Sequence, residues 1–232
     1  ILADEDFLMG GRLNNETNKI NGVLGSKWAA EIVTKLSEMQ NVTLMADTTI
    51  FGVYDHGIYG ALENKSSEAR ENNDKPRQVN WRIYAKRAIL CTGAIERAIA
   101  FGNNDRPGIM MASAVRTYVN RFAVTPGQNI TVFTNNDDGW QTARDLLLKN
   151  IKVAAVIDSR PIKPVLRIAG AEIFMGVDVI DTKGRRGLKS IKLSNGKTIE
   201  TDTLAVSGGW NPNLHLTCHH RGIPKWNEEI AS

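Results

Sequence analysis

Cysteine, proline and aromatic residues are scarce in this chain, and so is net charge. Its 232 residues include two cysteines, Cys91 and Cys218. Thiols so few and so far apart exclude a disulfide framework and a Cys-x-x-Cys redox pair, which fits a reducing cytoplasm. Cys91 lies in an apolar run and is expected to be a buried, inert thiol. Basic residues number 29 against 25 acidic ones, giving a formal charge of +4 without a clustered basic face. That excludes nucleic acid as an expected partner. No apolar run approaches the roughly 20 residues that span a bilayer, and no charged-then-apolar leader opens the sequence, so a soluble, cytoplasmic chain with no membrane partner is expected. Cys218, His219 and His220 are adjacent, and no spaced Cys/His set supplies further ligands, so no metal is assigned. His56 and His215 have no Ser, Cys or paired-carboxylate context, so no catalytic residue is assigned either.

What the chain does have is 42% hydrophobic residues, enough to fill the core of one large domain or two ordinary ones. The most informative stretch is the first twelve residues, ILADEDFLMGGR. They read as the second strand of a dinucleotide-binding βαβ unit whose first strand and Gly-x-Gly-x-x-Gly turn are not in the sequence. In such units the second strand ends in an acid that accepts the ribose hydroxyls. Asp4 stands there, followed by Glu5. Gly10, Gly11 and Arg12 then give the backbone room to pass a cofactor. An ordinary edge strand entering a glycine turn has the same residues.

Apolar residues at three-to-four spacing, Trp28, Ile32, Val33, Leu36 and Met39, predict an amphipathic helix over 26–40. Runs 42–45, 49–54, 57–62 and 79–84 predict an antiparallel meander, with 63–78 its long solvated loop. Residues 86–94 predict a buried-type strand with a small-residue turn. A helix is predicted over 112–122, a strand over 130–134, a helix over 139–149 and a strand over 153–158, the last three forming a second βαβ unit. Strands follow at 172–180 and 188–193. Asn195-Gly196 then signals a hairpin with positive φ at both centres. The buried run 203–207 breaks into Gly208 and Gly209 and reads as the return to the first domain.

The residues CTGA at 91–94 and GGWNPN at 208–213 resemble the superfamily of pyridine-nucleotide- and flavin-dependent disulfide reductases. The blocks AIER at 94–97, NNDRPGIM at 103–110, AVRTY at 114–118 and VFTNNDD at 132–138 resemble, more specifically, the alpha subunits of heterotetrameric sarcosine oxidases. The resemblance covers essentially the whole chain. It implies an α/β fold of two Rossmann-like dinucleotide-binding domains, the first split by the second and lacking its N-terminal βα segment. The expected domains are 1–124, 125–200 (degenerate) and 201–232, the return. It further implies NAD in the first domain, with FAD and FMN in the wider complex, and the other subunits of a heterotetramer as partners. The candidate cofactor-binding residues are Asp4, Glu5, Gly10, Gly11, Arg12, Thr48, Thr49, Thr92, Gly93, Ala94, Gly208 and Gly209.

In the second βαβ unit, Thr134, Asn136 and Gly139 occupy the three positions where the fingerprint needs glycine, and only the third is kept. Asp137 and Asp138 follow at the helix start. Their carboxylates are expected to cap the helix and take the electrostatic role of a phosphate, closing this site to dinucleotides. The expected function is therefore the NAD-binding portion of a subunit in the oxidative demethylation of sarcosine to glycine, with hydrogen peroxide formed. The chemistry lies in a partner subunit and the isolated chain is expected to be inactive. The alternatives are an FAD/NAD(P)-dependent amine, opine or glycine oxidoreductase subunit and a non-catalytic assembly module.

Overall fold

The computed structural model describes residues 1–65, 76–162 and 168–229. The chain divides into two compact units, the first made of Ile1–Asn14, Asn18–Ala94 and Pro212–Ser232, the second of Asn15–Thr17 and Ile95–Asn211. The sequence places domain boundaries at residues 124 and 200; by packing, the chain passes between units at residues 94–95 and 211–212.

In the first unit, β1 (Leu2–Ala3) leads through a short 3-10 turn (Gly11–Asn15) to the hairpin β2 (Lys19–Ile20) and β3 (Val23–Leu24), then helix α1 (Gly25–Ser37) and β4 (Leu44–Met45). Strands β1 and β4 pair in parallel, Leu2 opposite Leu44. The run 42–45 thus belongs beside β1 and not in the meander. Helix α1 buries Ala29, and Glu38 closes its last turn by donating its N–H to Thr34 O, three residues before the expected end. The meander consists of β5 (Thr48–Tyr54), β6 (Ile58–Asn64) and β7 (Gln78–Tyr84), antiparallel in that order. Of the expected loop, residues 66–75 lie outside the described residues, while Glu63, Asn64 and Gln78 belong to strands.

The expected buried strand over 86–94 is not formed. Ile89 is 90% exposed and Cys91 is exposed, which overturns the inert buried thiol. A run buried on both faces needs hydrogen-bonded neighbours, and among the described residues none pairs with 86–93. The chain then enters β8 (Ala94–Glu96).

The second unit is built on a five-stranded parallel sheet. Its elements in chain order are β9 (Ile109–Met111), α2 (Ala112–Arg121), β10 (Ile130–Thr134), α3 (Asp137–Leu148), β11 (Val153–Asp158), β12 (Glu172–Met175), β13 (Val179–Lys183), β14 (Ser190–Leu193), β15 (Thr198–Glu200), β16 (Thr203–Ser207) and β17 (Trp210–Pro212). The sheet order is β12-β11-β10-β16-β9. All five residues of β10 and of β16 are buried, as strands with parallel partners on both edges require. This places β16 at the centre of the second unit, whereas the sequence reads it as the return to the first.

Alternation along the strands makes two cores. Ile130, Val132, Val156 and Ala205 face α2 and α3 with Val115, Val119, Trp140, Ala143 and Leu146. Phe133, Ala155, Ile157, Leu204 and Val206 face the antiparallel sheet β13-β14-β15 with Val179, Ile191, Leu193 and Ile199. The expected single strand 172–180 is two strands, separated at Gly176, whose φ is 64°. The Asn195-Gly196 turn has positive φ at Gly196 only. Leu193 donates to Lys197 O across three intervening residues, which is the hairpin with one left-handed glycine and not the two-residue form. The short helix α4 (His215–His219) belongs to the first unit, where His219 Nδ1 accepts the N–H of Val53 at 3.3 Å.

Candidate functional site

Open parallel sheets bind ligands beyond the carboxyl ends of their strands, where the strand order reverses. In the second unit that point lies between β10 and β16, whose last residues, Thr134 and Ser207, are paired in register. Asn136 fills it. Its Nδ2 donates to Ser207 O at 3.0 Å and to Ser207 Oγ at 3.2 Å, and its Oδ1 accepts the N–H of Asp138 at 3.0 Å, capping α3. The side chain therefore occupies the place where a pyrophosphate would meet the backbone. Gly139 keeps the role expected of the third fingerprint glycine, since a Cβ there would collide with Thr134 Cβ and Oγ1.

The cap is Asn136, which corrects the expectation that Asp137 or Asp138 performs it. Both carboxylates serve arginines instead. Asp137 Oδ1 lies 2.8 Å from Arg160 Nη2, and Asp138 Oδ1 lies 2.9 Å from Arg116 Nη1. Trp210 Nε1 donates to Asp138 Oδ2 at 3.2 Å. Near the helix N-terminus these negative charges also complement the dipole.

At the end of β11, Asp158 stands where a ribose-binding acid would be. It is fully buried and already committed. Trp140 Nε1 donates to Oδ2 at 2.7 Å, Arg160 N donates to Oδ1 at 2.9 Å, and Arg160 Nη2 donates to Oδ2 at 2.8 Å. The hydrogen bond with Asp158 is the main cause holding the Arg160 guanidinium above its ordinary range, against burial. The Asn136 amide, the Asp158 carboxylate and the start of α3 are thus each engaged by partners within the second unit.

Beneath it, Arg116 on α2 is buried between Asp138 and Asp145, with Nε 3.2 Å from Asp145 Oδ2. Asp145 also accepts from Asn120 Nδ2 at 3.0 Å, Thr17 Oγ1 at 2.8 Å and Gln141 Nε2 at 2.9 Å. Sequence reading missed this cluster because its members lie on separate elements. The Asn136 cap was legible in principle, because asparagine followed by acids in the first turn is a helix-start signal.

The candidate residues of the first unit fall into two groups. Asp4, just past β1, donates its N–H to Met45 O and accepts Thr48 N–H at its own carbonyl, each at 2.9 Å. Its Oδ1 accepts Asp6 N–H at 3.0 Å, and Oδ2 has no partner among the described residues. Thr48 is brought to Asp4 with its hydroxyl donated to Ala46 O at 2.9 Å. Thr49, one residue on, points to the opposite, exposed face. Glu5 is exposed, Gly10 leads into the 3-10 turn, and Gly11 and Arg12 are its first two residues. In the second group, Thr92 Oγ1 donates to Asn213 O at 2.7 Å and Asn213 N donates to Gly93 O at 3.0 Å, just before Ala94 enters β8. Gly208 and Gly209 belong to the second unit, where they make room for Arg97: a Cβ on Gly209, at φ 98°, would stand 2.8 Å from Arg97 Nη2. Among the described residues there is no metal-ligating cluster and no helix long and apolar enough to cross a membrane.

Solved structures with this architecture include a dehydrogenase and a reductase by their names. L-Proline dehydrogenase from P. horikoshii superposes with a TM-score of 0.69 at 21% identity, over 92% of this chain and 37% of that one. Lactococcus lactis thioredoxin reductase gives 0.69 at 15% identity, over 99% of this chain and 74% of that one. The fold is thus a mixed α/β fold with a parallel sheet, shared with these two proteins. Sequence narrows it further. The chain is 40% identical to the sarcosine oxidase alpha subunit of Rhizobium meliloti (strain 1021) over 100% of its own length and 24% of that protein's. It is 32% identical to the one of Corynebacterium sp. (strain U-96) over 99% of its length and 26% of that protein's. The chain belongs to the family of sarcosine oxidase alpha subunits and spans about a quarter of the length of the relatives it matches. No family model matches it.

Proposed function

We propose that this chain is the NAD-binding portion of the alpha subunit of a sarcosine oxidase assembly. On this reading the first unit holds NAD, with Asp4 accepting a ribose hydroxyl at Oδ2. Glu5, Gly10, Gly11, Arg12, Thr48, Thr49, Thr92, Gly93 and Ala94 complete the first unit's share of the site, and Gly208 and Gly209 are structural. The second unit is a degenerate nucleotide domain that serves as scaffold. FAD and FMN belong to the wider, heterotetrameric and cytoplasmic complex, in which a partner subunit oxidises sarcosine to glycine with formation of hydrogen peroxide. The chain alone carries no catalytic residue for that step.

The observation that carries this reading is the contrast between two strand-end acids. Asp4 keeps an oxygen without a partner among the described residues, whereas Asp158 is buried under Trp140 and Arg160. Calorimetric titration of NAD into the complete subunit and its Asp4→Ala variant tests it. A hydrogen bond to a charged group contributes about 1.5–3 kcal/mol, so at least roughly tenfold weaker binding is expected. Undiminished binding, or a flavin dinucleotide taken up in place of NAD, overturns the assignment.

A further inference from the structure

The solvent face of the meander carries an aromatic patch that the cofactor reading does not use. Register places Tyr54, Ile58 and Tyr84 in one cross-strand row, Gly52, Gly60 and Arg82 in the next, and Thr49, Leu62 and Asn80 in a third. Because side chains alternate, these rows share one face. On the opposite face Val53, Ala61 and Glu63 are buried, while Trp81, beside Ala61, is partly exposed. Phe51 is the extra residue where the β5–β6 register shifts. Such a bulge re-aims a side chain, and the Phe51 ring lies over Gly60, with its Cζ 2.6 Å from where a Cβ would be. The Tyr54 ring lies over Gly52, its Oη 2.9 Å from the corresponding Cβ position. The glycines thus form a floor on which two rings lie. Phe51, Tyr54, Leu62 and Tyr84 are 45, 52, 36 and 69% exposed.

Isolated exposed apolar residues need no explanation, but four in adjoining rows on one sheet face form a patch of the kind that marks an interaction surface. Its composition is that of an interface centre, tyrosine and arginine with a phenylalanine. Arg82 is the one charged residue in the three rows and has no ion pair among the described residues. We propose that this face docks another subunit of the assembly, through an apolar surface that presents a carboxylate to Arg82. The inference rests on reading the chain as one subunit of several. The argument for the occupant is charge complementarity: a cation within an otherwise uncharged aromatic field calls for a single opposing acid. A second copy of this chain would set Arg82 near its own like.

A photo-crosslinking amino acid in place of Tyr84, in the complete subunit purified with its assembly, tests the docking. The expected product is a crosslink to a chain of different sequence, identified by mass spectrometry as a flavoprotein oxidase subunit. Arg82→Glu should lower its yield about tenfold, the equivalent of about 1.4 kcal/mol, while NAD affinity stays unchanged. Crosslinks confined to the same polypeptide, to a second copy, or absent from an intact assembly overturn the docking surface and leave the NAD reading standing. A complete subunit that purifies with no other chain overturns the assembly reading and the docking surface together.

Discussion

Asn136 Oδ1 accepts the N–H of Asp138 at 3.0 Å, and the same amide donates to Ser207 across the strand ends. One side chain thereby caps a helix and ties its start to the end of β16. Asn136→Ala should destabilise the chain by about 0.5–2 kcal/mol. Asp137→Ala removes only an exposed partner of Arg160 and should cost less, about 0–1 kcal/mol. Urea denaturation of both variants gives the ordering, and a larger loss for Asp137→Ala would return the capping role to the carboxylate.

Asp145→Ala should be far more damaging. It strips a buried guanidinium of one of its two carboxylates, takes from Thr17 Oγ1 its acceptor and leaves Asn120 Nδ2 with Asn15 O alone. Breaking a buried pair by removing one partner costs about 3–5 kcal/mol. A denaturation midpoint close to that of the unaltered chain would show that Asp138 alone holds Arg116.

Much of the fold was legible because strand and helix periods are strong in the second unit: the run 130–158 reads as strand, helix, strand, and folds so. Where expectation failed, long-range pairing decided. Residues 86–93 have the composition of a buried strand, yet Ile89 is exposed, and among the described residues no strand pairs beside it. The run 203–207 is a strand as read, but its address, between β10 and β9, is set by hydrogen-bond partners that local composition does not encode. At the site, the missing glycines at 134 and 136 were visible, and so was a capped start of the helix that follows. Which atoms perform it was not, since Arg160 and Ser207 reach Asp137 and Asn136 across 23 and 71 positions of sequence.

The Asp181 carboxyl is held below its ordinary range, first by the side-chain hydrogen bond from Asn103 and then by the N–H of Thr182. A depressed folded-state value means that the contribution is fully present above the unfolded carboxyl value. It is lost as pH falls through the acid range to the folded value. NMR titration should show Asp181 titrating lower than an ordinary aspartate, and Asn103→Ala should raise it. An unchanged titration in that variant would remove Asn103 as the main cause.

The two strand-end acids should separate in opposite directions. Asp158 is buried, and its loss leaves Trp140 Nε1 without an acceptor inside the core, so Asp158→Ala should cost at least about 1–3 kcal/mol of stability. It should leave the affinity of the complete subunit for NAD unchanged, because no oxygen of Asp158 faces a ligand. Among the described residues Asp4→Ala loses only a local bond to Asp6 N–H, about 0.5–1.5 kcal/mol, but it also removes the carboxylate oxygen that has no partner among them. Its effect should appear as weakened NAD binding. Thermal denaturation and calorimetric titration of both variants read the two effects separately. A loss of affinity in Asp158→Ala with Asp4→Ala unaffected would move the nucleotide to the second unit, and the closure of its crevice by Asn136 would then have to open on binding.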